Sequence, residues 1–296
     1  MRAFSLLAVC GSCVTTSAAS AANIYVLSSG DPTIDGAVVS TLTSFGHIVT
    51  IGDPFNLFVG TENLSGFQTV YMQANANWPS TAMPDTGQQA LTAFVNGGGR
   101  LVTCEWTEWL CASQVTNYAT LSAIIPVVFT TLTYGSTTPV TYTAATANVA
   151  INAGLPSSFT FPVNNYGGTE SYTTARPGAT TYYTTSSSPG SVGLTGWRVG
   201  QGYVFSFSTT NGPNQLADTN FGRLFSNVMT ATATGCYANC DNSTSPPILN
   251  TNDFQCFLNQ FAAGSAYANC DNSTSPPTLN VNDFQCFLNK FAVGCN

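Results

Sequence analysis

The chain has 296 residues, of which 44% are hydrophobic and only 6% charged, and its formal net charge is −7. Low charge joined to moderate hydrophobicity excludes the disordered class, which needs the reverse. Six basic against thirteen acidic residues leave no basic patch, which argues against nucleic acid and anionic lipid as partners.

Met1 to Ala22 reads as a secretory signal peptide. Arg2 is its basic start, Ala3 to Val14 its apolar run, and Ala19-Ser20-Ala21 its A-x-A cleavage site. The run is too short to span a membrane, and no later stretch is long and apolar enough to be a transmembrane segment. Cys10 and Cys13 fall inside the leader and are expected to leave with it. Cys13 lacks the aliphatic residue that usually precedes a lipid-attachment cysteine. The mature chain is expected to begin at Ala22 or Asn23, and to be extracellular or associated with the cell surface.

Asn23 to about Thr232 has room for one domain with a sizeable core. Ile24 to Leu27 reads as a buried strand ending in Ser28-Ser29-Gly30-Asp31-Pro32. Asp35 to Phe45 predicts a helix, with Val38, Val39, Leu42 and Phe45 on one side. His47 to Ile51 predicts a second strand, and Phe67 to Gln73 a third that runs into Ala74-Asn75-Ala76-Asn77-Trp78. Thr86 to Val95 reads as a helix stopped by Gly97-Gly98-Gly99. Arg100 to Cys104 is a fourth strand, followed by a loop carrying Glu105, Trp106, Glu108 and Trp109. Strands alternating with helices imply a parallel sheet covered by helices. From Ile124 to Arg198 the sequence is β-branched, aromatic and broken by Pro and Gly, which predicts strands and loops. Gly200 to Ser208 adds a strand and Phe221 to Thr230 a closing helix.

The opening Ile24-Tyr25-Val26, the FGHIVT and FVNGGGRLVT passages, the late VGQGYVFSFS and NFGRLFSNV runs, and NVAINAGLPSSFTF and RPGATTYYTTS together resemble the class I glutamine amidotransferase-like superfamily. The nearest members are the trehalose-utilisation-protein-like types. The resemblance spans nearly all of residues 23–232. It implies an α/β, flavodoxin-like parallel sheet with helices on both faces. Catalytic members of that superfamily place a Cys nucleophile on a sharp turn after a strand, with His and Glu partners. Here the matching passage is Leu101 to Trp106, which lacks the small residues such a turn needs. The only His is His47, expected to cap the turn into strand two at the other end of the sheet. No Cys-His-Glu triad can be assembled.

Cys104 and Cys111 flank EWTEWL. In an exported chain the pair reads as a local disulfide bracing the loop after strand four. The other reading is a reactive thiol, which cationic neighbours would have to support; the neighbours are Glu105 and Glu108. Carboxylates set between Trp106 and Trp109 suit sugars, because Trp stacks on a ring while the carboxylate accepts its hydroxyls. Ligands of parallel α/β sheets bind beyond the strand C-termini, an edge expected to gather Ser29, Asp31, Asn75, Asn77, Glu105, Trp106, Glu108, Trp109 and Asn211. Two carboxylates can also hydrolyse a glycoside. The remaining reading is that both Glu are solvated and both Trp are packing residues.

Residues 237–266 and 267–296 are one unit written twice. In each copy Phe254, Phe257, Leu258 and Phe261, or Phe284, Phe287, Leu288 and Phe291, lie on one helical stripe. Asn250 with Asp253, and Asn280 with Asp283, stand as capping boxes. Cys240 and Cys256 are spaced like Cys270 and Cys286, so each pair would tie a loop to the following helix. Cys236 and Cys295 remain at the edges to close the module, though six cysteines allow fifteen pairings. The residues CDNST, PP, LN, NDFQCFLN and FA, with Gly294-Cys295, resemble the duplicated GC-type dockerin-like modules of secreted proteins. The resemblance implies an appended module, here 236–296, that attaches its passenger to a cohesin-like or cell-surface protein.

Dockerin loops resemble calcium-binding EF-hand loops. The ligands this implies are Asp241, Asn250 and Asp253 in one copy and Asp271, Asn280 and Asp283 in the other, with Pro276-Pro277 where the loop's Gly would stand. That set is thin for a hard dication, so calcium is expected to bind weakly, and no cofactor is expected in the passenger. The leading function is non-catalytic binding or display outside the cell, with polysaccharide as a candidate ligand. The alternatives are a carbohydrate-active hydrolase using Glu105 and Glu108, and a purely structural surface protein.

Overall fold

Successive side chains of Asn23–Ser28 point to opposite faces of one sheet and so feed two separate cores. Ile24 and Val26 enter one, Tyr25 and Leu27 the other. The computed structural model describes residues 21–74, 82–133, 139–162, 170–186, 191–232, 237–241, 247, 249–271, 273 and 275–293.

The first half contains β1 (Asn23–Ser28), α1 (Pro32–Ser44), β2 (Ile48–Pro54), β3 (Thr69–Met72), α2 (Asp85–Asn96), β4 (Arg100–Thr103), α3 (Glu105–Ser113) and α4 (Ala119–Ser122). Then come β5 (Val127–Thr133), β6 (Val140–Ala144), β7 (Ser158–Phe161), β8 (Glu170–Ala175), β9 (Thr180–Thr185), β10 (Val192–Val199) and β11 (Gly202–Phe207). Helices α5 (Pro213–Ala217), α6 (Thr219–Val228), α7 (Thr251–Ala262) and α8 (Val281–Val293) complete the chain.

Nine strands form one sheet in the order β2-β1-β3-β4-β11-β10-β9-β6-β7, and β5 pairs with β8 apart from it. The strands β2, β1, β3, β4 and β11 are parallel. The rest of the large sheet is antiparallel, so the wholly parallel sheet expected from the sequence is corrected to a mixed one. Short helix-free connections in the second half, such as the one between β10 and β11, cannot make a parallel crossover and must fold back as hairpins. Helices cover both faces: α1, α5 and α6 pack over one core, and α2, α3 and α4 over the other.

Local chemistry sets the helix ends. Helix α1 begins at Pro32 rather than Asp35, because the Asp31 carboxylate accepts from the Thr33 and Ile34 amides and Pro32 fills a position that needs no donor. The triple glycine ends α2, with Gly98 at φ 108°, a conformation open mainly to glycine. Gly202 opens β11 so close to the end of α2 that a Cβ there would stand 2.0 Å from the Gly99 carbonyl oxygen. Arg100 then closes the passenger. Its guanidinium donates to the carbonyls of Met229, Thr230 and Ala231, just past the end of α6, and to the Thr69 hydroxyl.

Residues 105–113, expected as a loop, form α3. The stretch holds no Gly or Pro, Trp106 and Leu110 are both buried one turn apart, and Glu105 and Glu108 suit the positive end of a helix.

In the tail, Cys240 is bonded to Cys256 and Cys270 to Cys286. Asn250 and Asp253 cap α7 reciprocally, and the Asn280 amide donates to Asp283 in the same way. The two copies bury against each other: Phe257 stacks on Phe287 at 4.2 Å and Tyr237 on Tyr267 at 4.8 Å. Each tyrosine hydroxyl donates to the other's carbonyl. The predicted stripe is narrower than expected, since Leu258 and Leu288 are 36% and 40% exposed. Arg198 of the passenger stands 5.0 Å over the Tyr237 ring. Cys236 and Cys295 lie outside the described residues.

Candidate functional site

The C-terminal ends of the parallel strands converge on one polar edge. At β1, Ser28 and Ser29 donate to the Asp35 carboxylate through hydroxyls and an amide at 2.5–2.9 Å. Asp31, the residue expected there as a ligand, is occupied as the α1 cap. At β3, the Gln73 amide nitrogen donates to the Asn211 carbonyl at 3.1 Å. At β4, the chain turns at Cys104 into α3, and the Glu105 amide donates to the Thr209 carbonyl at 3.2 Å. Asn75 and Asn77, also expected at this edge, lie outside the described residues.

Glu105 and Glu108 are 1% and 2% exposed and Trp106 is 5% exposed, so the solvated reading of the two carboxylates is corrected. Helix α3 turns all three inward against the sheet. Trp109 is half-buried and meets Trp106 edge to face at 5.4 Å. Beside them stand Tyr71, Gln73, Thr107, Asn211 and Gln215, all without solvent exposure. The Asn211 side chain and the Cys104 thiol face the Tyr71 hydroxyl, whose ionisation burial pushes well above its ordinary range. Gln73 Oε1, Thr107 Oγ1 and Gln215 Oε1 make no hydrogen bond among the described residues. Buried polar atoms are nearly always satisfied, so this edge holds unused capacity. The sequence reading missed Tyr71, Gln73 and Asp35. The only signal was a Gln closing an apolar strand, which a strand pattern does not separate from a surface polar residue.

Cys104 and Cys111, expected as a disulfide, are both free and buried. The physical reason is α3 itself. Seven residues of helix rise about 10 Å, beyond the roughly 7 Å that a disulfide spans between Cα atoms. Burial first, then the Glu105 charge, pushes the Cys104 thiol up to about 12. Burial and Glu108 do the same to Cys111. A thiolate nucleophile at neutral pH is therefore disfavoured at both positions.

His47 sits at the opposite edge. Its Nδ1 accepts from the Ala22 amide at 3.1 Å and its Nε2 meets the Ser226 hydroxyl at 2.9 Å. A groove of about 800 Å³ opens at that same N-terminal edge, lined by Ala21, Ala22, Glu62, Phe67 and Arg100 among others. It is remote from the Glu-Trp cluster.

In the tail, Asp241 and Asp253 come together, and Asp271 and Asp283 repeat the arrangement. Asp253 and Asp283 are fully buried and already accept two backbone amides each. Among the described residues no three His, Cys, Asp or Glu side chains gather into a metal site. Each described loop thus brings two carboxylates together, one of them already accepting two backbone amides, which is a thin start toward the six to eight oxygens that calcium takes.

No protein-family model and no curated protein matches the sequence. Among solved structures the chain is similar to a cytoplasmic protein of Salmonella typhimurium, covering 72% of this chain and 99% of that one at 13% identity and a TM-score of 0.52. A second cytoplasmic protein, from Salmonella typhimurium LT2, covers 70% and 97% at 11% identity and 0.50. A thua-like protein of Bacteroides uniformis covers 69% and 87% at 13% identity and 0.47. At such identities the likeness of the first two extends to the fold alone. Among the described residues no helix is long and apolar enough to cross a membrane.

Proposed function

We propose that the passenger is a non-catalytic binding domain displayed outside the cell and that the tail attaches it to a cohesin-like or cell-surface protein. The observation that carries the non-catalytic reading is the separation of the only imidazole from the only thiols in the passenger. His47 is held between Ala22 and Ser226 at one edge of the sheet, while Cys104 lies buried at the other with its thiol raised to about 12. The order of the five parallel strands, β2-β1-β3-β4-β11, supports a flavodoxin-like core of the glutamine amidotransferase-like type, extended by antiparallel strands.

The binding edge is the polar one at the strand C-termini, as expected for an α/β sheet. Trp109 offers a partly exposed aromatic face beside Trp106, and Gln73, Thr107 and Gln215 carry polar atoms with unused capacity. Aromatic faces beside amide and hydroxyl groups suit a hydroxyl-rich ligand such as a polysaccharide. Glu105 and Glu108 share one face of one helix inside the protein, which does not favour the hydrolase reading, since a glycosidase must hold its two carboxyls on either side of an accessible bond. A glycan-binding screen with product analysis of the same samples tests both. Binding without products supports this function, and released sugar overturns it.

The tail supports attachment by its architecture. Two copies hold each other through paired tyrosines and phenylalanines and leave Leu258 and Leu288 exposed at equivalent positions. Calcium is not its staple in this reading; the disulfides are. Pull-down of the full chain by candidate surface proteins, lost when the tail is deleted, is the expected result.

A further inference from the structure

We propose that the chain is cut between Ala21 and Ala22 and that His47 receives the α-ammonium group the cut creates. This rests on reading the residues before Ala22 as an export leader. Burial changes sharply across that bond. Ala21 is exposed, whereas Ala22 is 4% exposed and packs in the core with Ile24 and Leu42. The Ala22 carbonyl accepts from the Ile48 amide at 2.9 Å, ahead of the first β1–β2 ladder pair. Its nitrogen donates to His47 Nδ1 at 3.1 Å.

That bond fixes the imidazole. Nδ1 must be an acceptor, so the ring is neutral and carries its proton on Nε2, which donates to the Ser226 hydroxyl at 2.9 Å. Hydrolysis of the Ala21–Ala22 bond adds hydroxide from water to the Ala21 carbonyl carbon and protons to the Ala22 nitrogen. Below the ordinary α-amino range of about 8, that nitrogen is an ammonium with three donors. One N–H keeps the bond to Nδ1, which becomes charge-assisted and stronger. The others face the groove that Ala21 and Ala22 line together with Glu62. Glu62 is also a lining residue of that groove, so a carboxylate stands among the groups there.

A cut one residue later leaves none of this. Removing Ala22 takes away the donor to His47 and the carbonyl for Ile48, and empties a core position. Because the Ala22 nitrogen is enclosed against His47, the cut precedes the closing of α6 on this edge. Ser226 then links the new terminus to that helix through the imidazole.

The test uses the full chain, expressed with its leader in an exporting host. Intact mass and N-terminal sequencing of the secreted protein are expected to give Ala22. A start at Asn23 overturns the proposal while leaving the leader reading intact, and an uncut chain overturns both. For the receptor role, the α-amino group of the wild-type protein is expected to titrate above its ordinary value, followed by NMR of the terminal residue; an ordinary or lower value overturns it. Acylation of that amine at neutral pH is expected to speed up about tenfold in His47→Gln, the order of one lost charged hydrogen bond. Equal rates in the two proteins also overturn it.

Discussion

His47 and Ser226 stand 179 residues apart in the chain and 2.9 Å apart in the fold. The bond ties the entry to β2, an edge strand of the sheet, to the last helix of the passenger. Burial lowers the His47 pKa below its ordinary 6.5, against a smaller opposing effect from Ser226. The unfolded chain therefore binds the proton first as pH falls. Stability from this site is complete above about pH 6.5 and declines as pH drops from there toward the folded pKa. The expected outcome is a thermal midpoint that holds from pH 8 to 7 and falls below 6.5. That slope should flatten in His47→Gln, which also loses about 1–3 kcal/mol at neutral pH. A slope unchanged by the substitution would show that other groups set the acid limit.

Arg100 serves three carbonyls at the end of α6 and the Thr69 hydroxyl. Lysine keeps the charge but not the planar fork, so Arg100→Lys is expected to cost roughly 2–3 kcal/mol in denaturant unfolding, because buried carbonyls lose their donors. Arg100→Met should cost more. If both variants unfold like the wild type, the clamp is not a source of stability.

The free thiols give a direct check on the passenger core. With Cys104 and Cys111 raised to about 12 by burial and neighbouring carboxylates, neither should react with iodoacetamide at pH 8 in the native protein. Both should label once guanidinium unfolds it without reductant. Rapid native labelling of Cys104 would reopen the nucleophile reading, and failure to label when unfolded would restore the disulfide.

How far the sequence carried can be seen at these residues. The strand at Ile24, the helix at Val38 and Leu42, and the capping boxes at Asn250 and Asn280 were legible because each depends on neighbours within a few residues. The antiparallel half of the sheet was not, since β6 lies between β7 and β9 through pairing that no local pattern encodes. Helix α3 was missed because EWTEWLC looks like a ligand loop when its aromatics are taken as exposed. Only tertiary packing turns Trp106 and Glu105 inward. The fate of Asp31, a cap and not a ligand, follows from Pro32 and was within reach of the helix-start rules.

The binding edge is best probed by residues whose loss leaves the core filled. Trp106→Ala would open a buried cavity and cost about 3–5 kcal/mol, confusing folding with binding. Trp109→Ala touches the partly exposed face. It is expected to weaken glycan binding about tenfold or more with little change in melting, while His47→Gln leaves binding intact. Equal affinity in the wild type and both variants would move the site elsewhere.

The tail separates two sources of stability that its sequence suggests together. Each disulfide closes a sequence separation of 16, and a loop of that size restrains the unfolded chain by about 3 kcal/mol. The carboxylates that would hold calcium are already engaged: Asp253 accepts from the Asp241 and Asn250 amides, and Asp283 from those of Asp271 and Asn280. Burial, partly offset by those amides, also raises the Asp253 pKa beside Asp241, a condition that disfavours the charged form a hard cation needs. A module with a core this small depends on its staples. Reduction should therefore abolish the cooperative melting of the tail, followed by circular dichroism, while chelator alone leaves it unchanged. Cys240→Ser with Cys256→Ser should destabilise the first copy and loosen the second through the Phe257–Phe287 stack. If chelator melts the oxidised tail, calcium is its staple and the carboxylates must rearrange to take the ion.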